Sequence, residues 1–108
     1  MSGSDPSVRR GGQGGGGEED CPGQEFQTVL GSPNPDVVPE LTLGQLLEVV
    51  SVDEPARGVV LRTLEGDVVG HLVRDIVRIR RCISRGHSYE ADVVRVAGGS
   101  VTVLIRST

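Results

Sequence analysis

The sequence predicts a mainly β protein with a single helix, in the order β-β-β-α-β-β, that folds as a small OB-like or SH3-like barrel behind a disordered tail. Three observations carry this prediction: a sharp change of composition near residue 40, short β-branched runs separated by turn residues after it, and one apolar pattern of helical period among them. A helix between the third and fourth strands of five is the order of an OB-like barrel, which protects its strand edges by partial closure.

Residues 1–40 are predicted to form a disordered, Gly/Pro-rich, acidic leader. Six of the seven residues at 11–17 are glycine, and three acids follow them. A Gly-rich backbone without apolar side chains cannot offset the entropy that is lost on ordering. The leader has one apolar cluster, Phe26, Val29 and Leu30, which is either a short docking motif or a set of incidental hydrophobic residues in a tail.

Residues 41–108 are predicted to form the one folded domain. This segment contains 14 Val, 8 Leu and 4 Ile. These are enough for a single core, although a domain of this size buries only roughly 60% of its unfolded surface. The segment carries nine Arg against eight acidic residues, whereas residues 1–40 carry two Arg against seven. The acidity of the chain therefore belongs to the leader.

Turn residues divide the domain into strands. A turn cluster that ends at Pro55 closes the first β-branched run, and Gly66 supplies the positive φ that a tight hairpin turn uses. Gly98 and Gly99 tolerate the mirror-image turns that hairpins prefer. The predicted strands are residues 43–52, 57–63, 68–72, 89–97 and 101–106.

Between the third and fourth strands, apolar residues recur at helical spacing. They are separated by four, three and four positions and therefore lie on one face of a helix. Gly86 follows them as the expected C-terminal cap, so a helix is predicted over residues 73–85. The apolar residues are Leu72, Ile76, Ile79 and Ile83.

Four arginines lie on the opposite side of this helix, within roughly 60° of one another at about 100° per residue. We call this set the Arg face; it consists of Arg74, Arg78, Arg81 and Arg85. Arg80 lies off the face, and Asp75 is the only acid between Asp67 and Glu90, so few local groups neutralise the row. Guanidinium groups suit phosphate, and such a row can follow a nucleic-acid backbone. The Arg face is therefore the predicted nucleic-acid-binding site.

Three alternatives stay open for the Arg face. An amphipathic helix must present some polar side chain to water, and Arg is a good helix former that needs no ligand. The domain could instead be a protein-interaction or scaffold module that binds an acidic protein partner, with the leader as a flexible tether. Glu18, Glu19 and Asp20 of the leader could also fold back on the Arg face and compete with an anionic partner.

The chain offers few residues for catalysis. His71 and His87 each lie beside a glycine at the end of an element, without a carboxylate or thiolate at metal-ligand spacing. No Ser or Cys lies in a recognisable nucleophile motif. Tyr89 alternates with Ala91 and Val93, which favours a core position with the hydroxyl at the rim over a base-stacking one. We therefore predict a non-enzymatic binding module without a metal or cofactor.

The two cysteines, Cys21 in the leader and Cys82 in the predicted helix, form neither a disulfide framework nor a paired-thiolate metal motif. A reducing compartment is therefore expected. No basic and apolar signal segment begins the chain, and no apolar run approaches the roughly 18 residues of a membrane span. Together these features predict an intracellular protein, cytoplasmic or nuclear, without a membrane partner.

Part of the domain resembles a known family. Residues 66–76 combine a turn glycine, a hydrophobic pair, a Gly-His-Leu step and a basic-acidic pair at a helix start, and Gly86 precedes an alternating strand at 89–94. Over residues 57–96 the chain is similar to the HIRAN domain, a small β-barrel found with helicase and chromatin-remodelling enzymes or alone in short proteins. The resemblance implies binding to ends of single-stranded DNA. Val73 stands where the family usually has proline, and the loop after the first strand lacks the family's asparagine and aromatic residues.

Overall fold

The computed structural model describes residues 21–108; the predictions for residues 1–20, including the glycine run and the three acids after it, lie outside the described residues. The described chain folds as a curled, six-stranded antiparallel half-barrel with one α-helix. The predicted fold class, mainly β with a single helix, is confirmed. The strands are β1 (Glu25–Val29), β2 (Leu46–Val52), β3 (Gly58–Arg62), β4 (Val68–His71), β5 (Tyr89–Ala97) and β6 (Ser100–Ser107), the α-helix is α1 (Ile76–Ser84), and a 3-10 helix spans Val38–Glu40.

The strands are arranged in the order β1-β6-β5-β2-β3-β4, so β1 and β4 form the two edges of the sheet. The curl of the sheet brings these edges together. Directly after β1, Gly31 exchanges two backbone hydrogen bonds with His71 of β4, with N–O distances of 2.8 and 3.0 Å. Asn34 continues the contact by donating its backbone N–H to the carbonyl of Val69 at 2.8 Å. The two edges of the half-barrel are thus bridged by the segment that follows β1.

Side chains alternate along the strands, and one face of the sheet forms the core. Along β6, Val101, Val103 and Ile105 are fully buried, whereas the residues between them are half-buried. Helix α1 adds Ile79 and Cys82 to the same core. Because burial of a Val, Leu or Ile side chain contributes about 1.5–3 kcal/mol, this shared core is the main force that holds the helix on the sheet.

The predicted elements after residue 40 all occur, and their ends differ from the observed ends by at most three residues. Helix α1 begins three residues later than predicted because Asp75 at its N-terminus has left-handed backbone, with a φ of 58°. Its C-terminal end is as predicted. Gly86 has a φ of +96° and donates to the carbonyl of Ile83 at 3.0 Å, while His87 donates to that of Cys82 at 3.0 Å. These two bonds form a Schellman cap.

The predicted boundary at residue 40 lies too late, because folded structure is already present within residues 21–40. Strand β1 pairs along its whole length with β6, and Leu30 and Val38 are buried in the core. The apolar cluster of Phe26, Val29 and Leu30 therefore belongs to a strand and its continuation. An edge strand of five residues acquires its hydrogen bonds from a partner about 75 residues away in sequence, and local composition does not reveal that pairing.

The expectation that the two cysteines remain unpaired is wrong. Cys21 and Cys82 form a disulfide with a Cα–Cα distance of 5.6 Å, and both side chains are fully buried. Two cysteines 61 residues apart carry no spacing signal, so only the fold could show that they meet. The cysteines therefore give no reason to expect a reducing compartment, because disulfides persist mainly in oxidising compartments. Among the described residues, no helix has the length and apolar character that a membrane crossing requires.

Candidate functional site

Helix α1 connects β4 to β5 and lies against β3. Of its arginines, Arg81 and Arg85 are exposed, whereas Arg78 is half-buried. Ile79 and Cys82 are buried, and Ile76 and Ile83 pack on the core from its margin. Val77 is exposed. The apolar stripe predicted from the sequence is therefore the packing side of the helix, and this orientation decides which arginines reach solvent.

Arg80, which lies off the Arg face, anchors the helix to the β2–β3 hairpin. Its guanidinium donates to the carbonyl of Val52 at 2.6 Å, to Ser51 Oγ at 2.9 Å and to the carbonyl of Gly58 at 3.1 Å. It also forms an ion pair with Asp53 at 2.9 Å. Four hydrogen bonds from one side chain fix α1 to the loop end of the hairpin. The sequence carries no signal for this role beyond the position of Arg80 outside the Arg face.

The first two residues of the Arg face share one acid. Arg78 pairs with Asp75 at 3.0 Å, and Arg74 approaches the same carboxylate at 3.6 Å. Arg74 also lies over the ring of Phe26, with its guanidinium carbon 5.2 Å from the ring centroid, and donates to the carbonyl of Gln27 at 3.2 Å. Asp75 and strand β1 therefore partly occupy this end of the face.

Arg81 and Arg85 lie at the other end of the Arg face, on the last turn of α1 and directly after it. Both side chains are exposed. Cations near the C-terminus of a helix are stabilised by the helix dipole, so their position also suits the helix. Arg74 precedes α1, which begins at Ile76 after the left-handed Asp75, so the helical angle predicted for Arg74 does not apply to it. Along the chain, Arg81 and Arg85 lie further from Asp75 than Arg74 and Arg78 do.

Tyr89 is a core residue, as the alternation of β5 predicts, and is 5% exposed. Its hydroxyl is buried and has no hydrogen-bond partner among the described residues, so it does not lie at a wet rim. Burial raises the pKa of the hydroxyl, and the charge of Arg78 acts weakly in the opposite direction. Neither Tyr89 nor Phe26, which lies under Arg74, presents a free ring for stacking.

A row of charged side chains crosses the outer face of the sheet in register. Glu48 and Glu90 are opposite each other on β2 and β5, and each forms an ion pair at 2.8 Å with an arginine on its other side. The full row across β3, β2, β5, β6 and β1 is Arg62, Glu48, Glu90, Arg106 and Glu25. Arg106 also binds Asp92, and its hydrogen bonds to Asp92 and Glu90 raise its pKa.

A groove of about 430 Å³ opens beside this row, next to the short pairing of β2 with β5. Its apolar side chains include Leu46 and Leu64, which are 36% and 61% exposed. Glu48 and Glu90 supply its carboxylates. The groove thus combines apolar surface with acidic groups. Local sequence patterns do not reveal it, because its walls come from strands distant in the chain.

The histidines have structural backbone roles: His71 pairs with Gly31 across the sheet edges, and His87 caps α1. Within residues 21–108, no group of three or more His, Cys, Asp or Glu side chains is arranged to hold a metal ion. Comparison of the chain with protein-family models, curated proteins and solved structures finds no match. The Arg face and the groove are the candidate binding surfaces.

Proposed function

We propose that this protein is a non-enzymatic binding module that binds nucleic acid through the phosphate backbone at the Arg face. The observation that carries the proposal is the exposure of Arg81 and Arg85 on the solvent side of a helix that Arg80 and the core hold firmly in place. Between Asp67 and Glu90 one acid, Asp75, stands against the four arginines of the Arg face, so this stretch of the chain carries an excess of positive charge.

Binding of this kind is electrostatic and weakly dependent on sequence. Phosphate contacts release condensed counterions and supply most of non-specific affinity. Stacking platforms for single strands usually need several exposed aromatic rings, and this chain has one Phe and one Tyr. The resemblance to HIRAN domains supports single-stranded DNA as the first ligand to test.

The proposal is tested by fluorescence anisotropy of the full chain. The titrations use a labelled single-stranded oligonucleotide and a labelled duplex, each at several salt concentrations. The double variant R81Q/R85Q is expected to weaken binding and to make the plot of log K against log salt shallower by about 1.4 for the single strand, from roughly 0.7 per lost contact. The matched control R57Q/R95Q removes two exposed arginines outside α1. Equal binding by the two double variants would overturn the proposal.

A second candidate, a protein-interaction module, is favoured by the groove. The edge at β4 is bridged by the segment after β1, and at the edge of β1 the carbonyl of Gln27 accepts a hydrogen bond from Arg74, so strand addition at β4 is disfavoured. The groove instead suits a short segment that has an apolar side chain beside a basic one. Peptides selected from a random library on the immobilised protein should then bind at high salt, lose binding in L64D and keep it in R81Q/R85Q. Retention of binding in L64D would exclude the groove.

A further inference from the structure

Strand β1 is an edge strand that its own side chains anchor only weakly. It pairs on one side, with β6, and none of its five residues is fully buried. The buried anchors lie before and after the strand, since Cys21 is 0% exposed and Leu30 is 4% exposed. Cys21 is joined to Cys82 of α1 by the disulfide. The start of β1 therefore depends on a bond that a reductant can break.

The attachment after β1 does not depend on the disulfide. Leu30 donates its backbone N–H to the carbonyl of Val101 at 2.9 Å, and Gly31 exchanges two hydrogen bonds with His71. Loss of the disulfide leaves these bonds in place, so β1 remains fixed at its C-terminal end. The rest of the strand is then held by its hydrogen bonds to β6 and by Arg74. An edge strand that is fixed at one end opens locally at a low free-energy cost.

Arg74 connects β1 to the Arg face. Its guanidinium carbon lies 5.2 Å from the ring centroid of Phe26, and the group donates to the carbonyl of Gln27 at 3.2 Å. Both partners belong to β1. When β1 separates from β6, these two contacts are lost, while the ion pair of Arg74 with Asp75 at 3.6 Å remains. The separation therefore makes the guanidinium more available to an anionic ligand.

We propose that the disulfide is a redox switch: its reduction by a dithiol releases β1 from β6 and frees Arg74 for the phosphates of a nucleic acid. The S–S bond takes up two electrons and two protons to give two thiols, while the dithiol closes to its own disulfide. Both cysteines are buried, and the exposed turn at Pro22 and Gly23 gives the dithiol its access to Cys21. The release of β1 rests on the contacts of the strand; its effect on binding rests on the proposed function.

The first measurement is amide hydrogen exchange of the full chain, oxidised and reduced, followed by NMR. Reduction is expected to accelerate exchange of the hydrogen-bonded amides of β1 about tenfold more than that of the amides between β2 and β3. The variant C21S/C82S should match the reduced chain and should not respond to the dithiol. Equal acceleration in both regions would show a global loss of stability, and unchanged exchange in β1 would show that the strand stays paired. Either result overturns the switch.

The second measurement follows the side-chain Nε–Hε signal of Arg74. The ring of Phe26 shifts this signal while β1 is paired, because the guanidinium lies over the ring. Reduction should therefore move the signal, and F26L in the oxidised chain should move it in the same direction. The signal of Arg57, an exposed arginine outside α1, should stay in place as the control. An Arg74 signal that does not move on reduction would refute the loss of its contacts with β1.

The third measurement is the affinity of the oxidised and the reduced chain for a labelled single-stranded oligonucleotide. One additional phosphate contact should tighten binding by about two- to fivefold, the size of one exposed ion pair, and steepen the plot of log K against log salt by about 0.7. R74Q should abolish this difference, whereas the matched control R95Q should keep it. If β1 is released but neither form binds the oligonucleotide, the switch stands and the proposed function fails. If both forms bind equally, the coupling of the switch to binding is refuted.

Discussion

Arg80 and Arg81 are neighbours in sequence but have opposite environments. The side chain of Arg80 is 24% exposed and is used up by four hydrogen bonds, whereas Arg81 extends into solvent. The helical rotation between adjacent residues, about 100°, is enough to separate a structural cation from one that is free to meet a ligand. All arginines of this helix carry the same charge, so charge does not decide which of them is available to a ligand. The hydrogen-bond and ion-pair partners of each side chain decide it.

We expect R80A to lower the free energy of unfolding by about 2–3 kcal/mol. Truncation leaves the carbonyls of Val52 and Gly58 and the hydroxyl of Ser51 without their charged donor, and bonds to charged groups are each worth about 1.5–3 kcal/mol at most. Urea denaturation measures the change. The control R57A should stay within about 0.5 kcal/mol of the native chain. A similar loss in both variants would contradict the anchoring role.

A second prediction concerns Tyr89 and the pH dependence of the free energy of unfolding. Its pKa is raised in the folded state, so the neutral phenol is favoured there. The stabilisation is fully present below the unfolded value of about 10 and is lost as the pH rises through the higher folded value. Phenolate absorbance should therefore appear at higher pH in folded than in urea-unfolded protein, and this is a clean signal because the chain has one Tyr.

The hydroxyl of Tyr89 can be tested separately with Y89F. A buried hydroxyl without a partner adds a desolvation cost, so its removal should leave the free energy of unfolding unchanged or raise it by up to about 1 kcal/mol. The loss of stability above pH about 10 should become smaller in the variant. A destabilisation larger than about 1 kcal/mol would mean that the hydroxyl is hydrogen-bonded in the folded protein.

At the scale of elements, α1 is held at three places. Arg80 fixes it to the β2–β3 hairpin, the buried isoleucine face fixes it to the sheet, and the disulfide joins it to the residue that leads into β1. Arg74 adds a contact from the start of the helix to β1. Helix α1 is therefore attached to the β2–β3 hairpin, to the core and to β1.

Removal of the disulfide in C21S/C82S should lower the free energy of unfolding by about 2–4 kcal/mol, because the bond closes a loop of 61 residues and restricts the unfolded chain. Urea denaturation of the oxidised native chain and of the variant measures the difference. Reduction of the native protein should reproduce the effect, with the thiols counted to confirm complete reduction. Equal midpoints would mean that the bond contributes nothing to stability.

At the scale of the whole molecule, the half-barrel depends on a strand from each end of the described chain. β1 covers the free edge of β6, and the residues after β1 bridge to β4. Gly31 permits this approach, since a Cβ at that position would lie 2.7 Å from both His71 Nε2 and Val73 Cγ1. The segment before residue 41 thus completes the fold.

A chain that begins at residue 41 should consequently fail to fold cooperatively, whereas one that begins at residue 21 should fold. The shorter chain loses β1, the disulfide, and the buried side chains of Leu30 and Val38. The two side chains are worth about 1.5–3 kcal/mol each and the disulfide about 2–4 kcal/mol, against a total stability of about 5–15 kcal/mol for a small domain. Amide dispersion by NMR distinguishes the outcomes, and a well-dispersed spectrum from residues 41–108 would refute the prediction.

The sequence by itself determined the features that depend on neighbours along the chain. Side-chain alternation marked the strands after residue 40, the four-three-four spacing marked the buried side of α1, and Gly86 marked its end, because each signal lies within a few residues. Only the tertiary structure decided the pairing of β1 with β6, the disulfide of Cys21 with Cys82, and the partners of Arg78 and Arg80. Most of these contacts join residues far apart in the chain. Such residues stabilise the fold only once the folded sheet has brought them within bonding distance.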